Sequence, residues 1–317
     1  MLGDSSLFLS NVNIAARQVG ILYLLVLVGV IADKTKIFTQ KTGKACTDLL
    51  FYIITPAVII NSFFTQEYSP ESATNLLKSV ICGFLLHFVA IAMSAPVFRK
   101  GNPDENAVYK FASVYGNVGY MTLPLTAAIL GSEGVFYCAG VVMAFNVVSF
   151  THGIIIMDSG KKKFSLSKIF LNPGVIGVAV GLPFYLLNID LPQVITEPIR
   201  YIDSMQTPVA MIVFGTYLAN TRLSEVFKRK KIFLAGFIKL IALPAVMYVI
   251  YRLLGISGTL LIAVMISSCA PSANNTVMFS AKYGKDTGLA SQTVSVVSFL
   301  SIITMPLIIA FVSTYSG

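Results

Sequence analysis

Ten apolar runs follow one another through this chain, at about 12–32, 46–65, 76–98, 109–130, 134–157, 169–188, 204–220, 232–254, 258–281 and 288–313. A helix needs about 20 residues to cross the hydrocarbon core, and the joining stretches are too short for a soluble domain. Of 317 residues, 56% are hydrophobic and 12% charged, which is integral-membrane usage. The expected class is therefore an all-α polytopic membrane protein with ten spans, of which 204–220, short and holding Pro208, is the weakest. Cys46, Cys82, Cys138 and Cys269 stand singly in or beside apolar runs and match no metal or redox spacing. The N-terminal Met1-Leu-Gly-Asp-Ser-Ser lacks a basic n-region, so the first span is expected to serve as its own insertion signal.

Loop charge suggests an orientation. Lys34, Lys36, Lys41 and Lys44, then Arg99, Lys100 and Lys110, then Lys161, Lys162, Lys163 and Lys168 fall in odd-numbered connections. Arg222, Lys228, Arg229, Lys230 and Lys231 follow, then Lys282 and Lys285, making 18 of the 23 basic residues. The even connections hold mainly acids: Glu67, Glu71, Glu133, Asp190, Glu197 and Asp203. The positive-inside rule then places the odd loops in the cytoplasm and both termini outside a cell membrane. The net charge of +9 is a cytoplasmic rim on this reading, and nucleic acid is not an expected partner.

An internal repeat is expected as well. Thr55-Pro56 recurs as Thr207-Pro208, Pro124 as Pro271, and Val147-Val-Ser-Phe150 as Val296-Val-Ser-Phe299, at offsets of 152, 147 and 149. Three ordered matches at nearly constant offset predict five helices in 1–160 and five in 161–317, with Lys161–Lys168 as linker. Five is odd, so the second copy enters from the opposite side, the inverted arrangement of many transporters.

Two stretches inside the runs are too polar for lipid: Gly116-Asn-Val-Gly-Tyr-Met-Thr-Leu-Pro-Leu125 and Ser267-Ser-Cys-Ala-Pro-Ser-Ala-Asn-Asn-Thr276. A proline removes one amide and displaces the carbonyl four residues earlier. Freed backbone groups persist in a bilayer only where protein or a wet cavity satisfies them. Both stretches are therefore expected to break their helices around a polar site. With Pro124 and Pro271 opening second half-helices, the amides of Leu125, Thr126, Ser272 and Ala273 would point into the centre and favour an anion. The carbonyls of Tyr120 and Ser267, with Asn117, Asn274 and Asn275, suit a cation or a polar substrate group.

Gly116-Asn-Val-Gly-Tyr120, Leu123-Pro-Leu125, Gly131-Ser-Glu-Gly134 and Phe145-Asn146 resemble the first half of the auxin efflux carrier family, which includes bacterial malate and malonate permeases. Ala270-Pro-Ser-Ala273, Phe279-Ser-Ala-Lys-Tyr-Gly284, Leu289-Ala-Ser291 and Ile302-Ile-Thr-Met-Pro306 resemble its second half. The resemblance implies ten helices in two inverted repeats, with helices 4 and 9 broken and crossing at mid-membrane. It also implies a scaffold of helices 1, 2, 6 and 7 and a moving unit of 3, 4, 5, 8, 9 and 10. The same fold serves sodium–bile acid symporters. Plant members carry a long central loop where this chain has about ten residues, which favours a prokaryotic-type carrier.

The functional expectation is a secondary active transporter of mono- or dicarboxylates, neither enzyme nor cofactor protein, working by an elevator movement. Its rivals are a sodium-coupled symporter of the bile-acid type, a passive channel and a non-transporting sensor on the same fold. The expected substrate residues are Asn117, Tyr120, Thr122, Pro124, Leu125, Thr126, Asn146, Pro271, Ser272, Asn274 and Asn275. Ser267, Ser268, His152 and Lys239 are the candidates for coupling to H⁺ or Na⁺. All fourteen acidic residues lie in loops or near span ends, so a mid-membrane carboxylate relay is not expected. Lys239 reads either as an interior cation or as a side chain snorkelling to the Lys230-Lys231 rim. His87 and Asn61 read as packing residues. Gly177-Val-Ala-Val-Gly181 has the small-xxx-small spacing of a close helix contact, within the chain or in a homodimer through the scaffold.

Overall fold

The computed structural model describes residues 2–158, 172–220 and 229–316. The linker Lys161–Lys168 and the rim residues Arg222 and Lys228 lie outside them. Among the described residues the fold is all-helical, without a strand. Six of the described helices are long and apolar enough to cross a membrane: Val12–Lys34, Lys41–Phe64, Pro70–Val97, Leu123–Met157, Lys230–Leu253 and Thr287–Thr314. Two shorter apolar helices are Pro173–Leu186 and Gly258–Ser268.

In chain order, α1 is Leu2–Lys34, α2 Gln40–Leu49, α3 Thr55–Phe64, α4 Pro70–Val97, α5 Pro103–Val114, α6 Leu123–Val148 and α7 Ile154–Met157. After the linker come α8 (Pro173–Leu186), α9 (Gln193–Ser204), α10 (Gln206–Ala219), α11 (Lys230–Phe237), α12 (Leu243–Leu253), α13 (Gly258–Ser268), α14 (Asn275–Lys282) and α15 (Thr287–Thr314). The sequence reading treated 189–203 as a plain connection. It holds α9 instead, an amphipathic helix with no buried residue. The runs expected at 109–130 and 134–157 meet where expected. Their boundary is a turn at Gly131 (φ 65°, ψ −156°), conformational space open essentially only to glycine. The larger interruption in this part of the chain comes earlier, between Val114 and Val118.

Among the described residues, four π-helical turns interrupt the long helices, at Leu50–Ile54, Val118–Thr122, Ser149–Gly153 and Ile238–Ala242. Three of them stand directly before a residue followed by proline: Thr55-Pro56, Leu123-Pro124 and Leu243-Pro244. Proline cannot donate to the carbonyl four residues back and crowds it. A wider turn lets the ladder resume, with Thr55 N–H donating to Leu50 O and Leu243 N–H to Ile238 O, each five residues back. The prolines thus shape these spans without ending them.

Without a hydrophobic force between helices in lipid, close packing at small residues holds a bundle together. The tightest backbone approach joins α1 to α10. A Cβ on Gly215 would lie 2.1 Å from Val26 O, and one on Gly29 2.2 Å from Ile212 O. The Gly177/Gly181 pair packs α8 on α3, against Pro56 and Phe63, which gives that spacing a contact within the chain. The two polar stretches lie in the middle of this packing, where Ala112, Tyr115, Cys269, Ala270 and Ser272 are fully buried.

Candidate functional site

The first break runs from Tyr115 to Asn117 and the second from Cys269 to Asn274. They satisfy each other's backbone. Gly116 and Ser272 form an isolated antiparallel bridge, Asn117 N–H donates to Pro271 O (2.7 Å) and Ala273 N–H to Tyr115 O (2.9 Å). Ser272 Oγ donates to Ala112 O, one of the last carbonyls of α5 (2.7 Å). Each break supplies partners that water would otherwise have to supply, which is how irregular backbone survives at depth.

This pairing corrects the expected position of the free amides. The Ala273 amide is engaged with Tyr115 O. Pro124 is the second residue of α6, continuous with the π turn, and Pro271 lies within its break rather than opening a helix. The half-helices begin elsewhere. Met121 and Thr122 N–H donate back to Asn117 O, while Thr276 N–H donates to Ala273 O and Val277 N–H to Asn274 O. The opening amides are therefore those of Gly119 and Tyr120 in one half and of Asn274 and Asn275 in the other. The side chain of Tyr120 lies outside the described residues.

These starts border one narrow cleft of about 40 Å³. Asn117, Val118, Gly119, Ala273, Asn274 and Asn275 line it from the breaks, Asn146 from α6, Asn172 and Gly174 from the start of α8, and Phe51 and Thr55 from the α2–α3 span. Five asparagine amides converge and no formal charge lines the wall. Asn172 caps α8, its Oδ1 accepting from Gly174 N–H (2.9 Å), while its buried Nδ2 has no hydrogen-bond partner. Gln206, at the start of α10, donates from Nε2 to Gly119 O (2.6 Å) and ties a second packed helix to the break.

Of the expected substrate residues, Asn117, Asn146, Asn274 and Asn275 are brought together at the cleft, whereas Pro271 and Ser272 are engaged in the backbone pairing of the breaks and do not line it. Thr122, Pro124, Leu125 and Thr126 are buried within or just before α6, and Thr126 Oγ1 lies 3.3 Å from Cys138 Sγ. Ser267 Oγ donates to Ala263 O and Ser268 Oγ to Val264 O, each within α13. His152 Nδ1 lies 2.9 Å from Tyr115 Oη, which donates to Val148 O. A hydroxyl donates only once, so this arrangement needs the His152 proton on Nδ1. His87 pairs Nδ1 with Gly83 O (2.6 Å) and packs between Tyr115 and Phe145. Asn61 donates to Asp203 (2.7 Å), whose carboxyl burial pushes above its ordinary range while that bond opposes the rise. Lys239 does not reach the rim. It is fully buried in the π turn Ile238–Ala242, behind the paired breaks.

Asn172, Gly174 and Gln206 escaped the sequence reading, and Thr55 entered it only as part of the repeat. A signal existed for Asn172: Asn-Pro at a helix start is a cap with proline at the first position. For Gln206 only its place beside the repeated Thr207-Pro208 could have pointed to it.

Helices long and apolar enough to span a bilayer, packed around a buried polar cleft, fit a multi-pass membrane transport protein. The chain belongs to the membrane transport protein family, whose description matches residues 14–309. It is 22% identical over 299 residues to an uncharacterised transporter of Methanocaldococcus jannaschii, covering 90% of this chain and 95% of that one. It is 25% identical over 270 residues to a candidate malonate transporter of Rhizobium meliloti, covering 81% and 82%. An uncharacterised transporter of Methanothermobacter thermautotrophicus is 24% identical over 294 residues, covering 90% and 94%. The family is the one that the motifs of the two broken spans resemble.

Proposed function

We propose that this protein is a secondary active transporter of small mono- or dicarboxylates, with the substrate carboxylate held in the cleft by Asn117, Asn146, Asn274 and Asn275. The observation that carries the reading is the convergence of two half-helix starts and five amides in a cleft without an acidic side chain. Helix N-termini carry partial positive charge, and hydrogen bonds to a charged acceptor are the stronger kind. The name of the Rhizobium relative points to the same substrate class.

The halves 1–160 and 161–317 act as inverted repeats of five helices, with the breaks as the crossing pair of helices 4 and 9. The antiparallel Gly116–Ser272 bridge supports this, because inverted halves meet with opposed chain directions. The α1–α10 and α3–α8 pairs are the fixed scaffold, and the unit carrying the breaks moves past it as an elevator.

The reading is tested by a thermal-shift screen of malonate, malate, succinate and acetate, with choline and glucose as cationic and neutral controls. A carboxylate is expected to raise the melting temperature in a saturable way. Stabilisation by choline or glucose with none by the carboxylates would overturn the anion assignment.

A further inference from the structure

The four asparagines assigned to the substrate carboxylate leave a fifth amide of the cleft without a role. Asn172 is 2% exposed and lines the cleft from the start of α8. Its Oδ1 accepts from Gly174 N–H (2.9 Å), which fixes the orientation of the amide and makes Nδ2 the free limb. That Nδ2 has no hydrogen-bond partner among the described residues. Capping needs only the oxygen, and serine or aspartate would supply one without stranding a donor. A buried donor left unpaired is costly, so it points to an acceptor that comes from outside the chain.

The place of this donor sets it apart from the other four. Asn172 and Gly174 open α8, which packs on α3 through Gly177 and Gly181. Asn117, Asn274 and Asn275 belong to the breaks and Asn146 to α6. The two walls meet at Gly174, where a Cβ would lie 2.4 Å from Asn146 Nδ2 and 3.3 Å from Asn172 Oδ1. An ionised carboxylate has about four lone-pair sites for donors. The breaks and α6 already offer it four side-chain amides besides the opening backbone amides. A donor on the α8 wall is surplus to one carboxylate and needs a second.

We infer that Asn172 determines specificity: its Nδ2 donates to the second carboxylate of a dicarboxylate whose first is held by the asparagines of the breaks and α6. The inference rests on the carboxylate reading proposed above and narrows it from mono- or dicarboxylates to dicarboxylates. Since α8 belongs to the proposed scaffold, a dicarboxylate bridges the fixed and moving units, and a monocarboxylate is held by the moving unit alone.

Purified protein is to be titrated with malonate and with its monomethyl ester, which keeps the chain and one carboxylate, while the melting temperature is followed. Wild type is compared with Asn172→Ser and Asn172→Asp. Both substitutions keep an oxygen to cap α8, so unliganded melting should stay close to wild type. Wild type is expected to bind malonate at least about tenfold more tightly than the ester. Asn172→Ser should weaken malonate by about tenfold or more and the ester by less than about threefold, erasing the preference. Asn172→Asp should weaken malonate further, because it sets a like charge against the second carboxylate. Equal binding of the two ligands by wild type, a comparison that needs no variant to fold, would overturn the inference and leave the carboxylate reading standing. So would a variant that weakens both ligands by the same factor, the result expected of a residue that only caps α8. Binding of neither ligand, nor of succinate or acetate, by wild type that melts cooperatively would end the carboxylate reading and this inference with it.

Discussion

Gly215→Ala is expected to cost about 2–4 kcal/mol and to show as lost monodisperse protein or a melting temperature lower by several degrees. The added Cβ would lie 2.1 Å from Val26 O and 2.8 Å from Gly29 Cα, both backbone atoms that no rotamer change can move aside. Relief requires α1 and α10 to separate along a contact that has no hydrophobic drive to reform in lipid. Gly20→Ala, on the same α1, is the control. Nothing lies within 4 Å of its Cβ position, so that variant should melt like wild type or slightly higher. Equal melting of the two variants would mean that α1 and α10 do not meet as described.

The second large effect concerns charge in the cleft. Asn275→Ala removes one amide at the start of α14 and is expected to weaken malonate binding about 10- to 100-fold, the usual worth of a hydrogen bond to a charged group. Asn275→Asp is the sharper variant. It keeps the shape and places a like charge beside the substrate, so uptake should fall further than in the alanine variant while the protein stays folded. A cationic substrate would reverse that order, because the new carboxylate would attract it. Uptake assays of the two variants side by side therefore report the sign of the substrate's charge as well as the residue's place in the site.

Much of this architecture was legible in the chain before any coordinates. Hydropathy marked the membrane helices because lipid tolerates no unpaired backbone, and the two polar stretches at 116–125 and 267–276 could not continue a helix through lipid. What periodicity could not supply was the register of the breaks. Pro124 and Pro271 looked like helix starts, yet π turns absorb proline within a span, and Tyr115–Asn117 pairs with Pro271–Ala273. The free amides moved accordingly, from Leu125, Thr126, Ser272 and Ala273 to Gly119, Tyr120, Asn274 and Asn275. Asn172 and Gln206 were missed because they join the site from other helices, Gln206 through a hydrogen bond to Gly119, 87 residues away in sequence, that no local pattern encodes. Lys239 was ambiguous for the opposite reason. Its closeness in sequence to Lys230-Lys231 suggested a rim side chain, and only the packed core shows its amine turned inward.

The most direct test of carboxylate transport is counterflow with purified protein in sealed liposomes. Vesicles preloaded with unlabelled malonate and diluted into a trace of labelled malonate should accumulate label transiently, with a rate that saturates and is lost in Asn275→Asp. Uptake that rises linearly with concentration and ignores the internal malonate would identify a passive pore. No uptake of any carboxylate, by protein that still melts cooperatively, would contradict the assignment altogether.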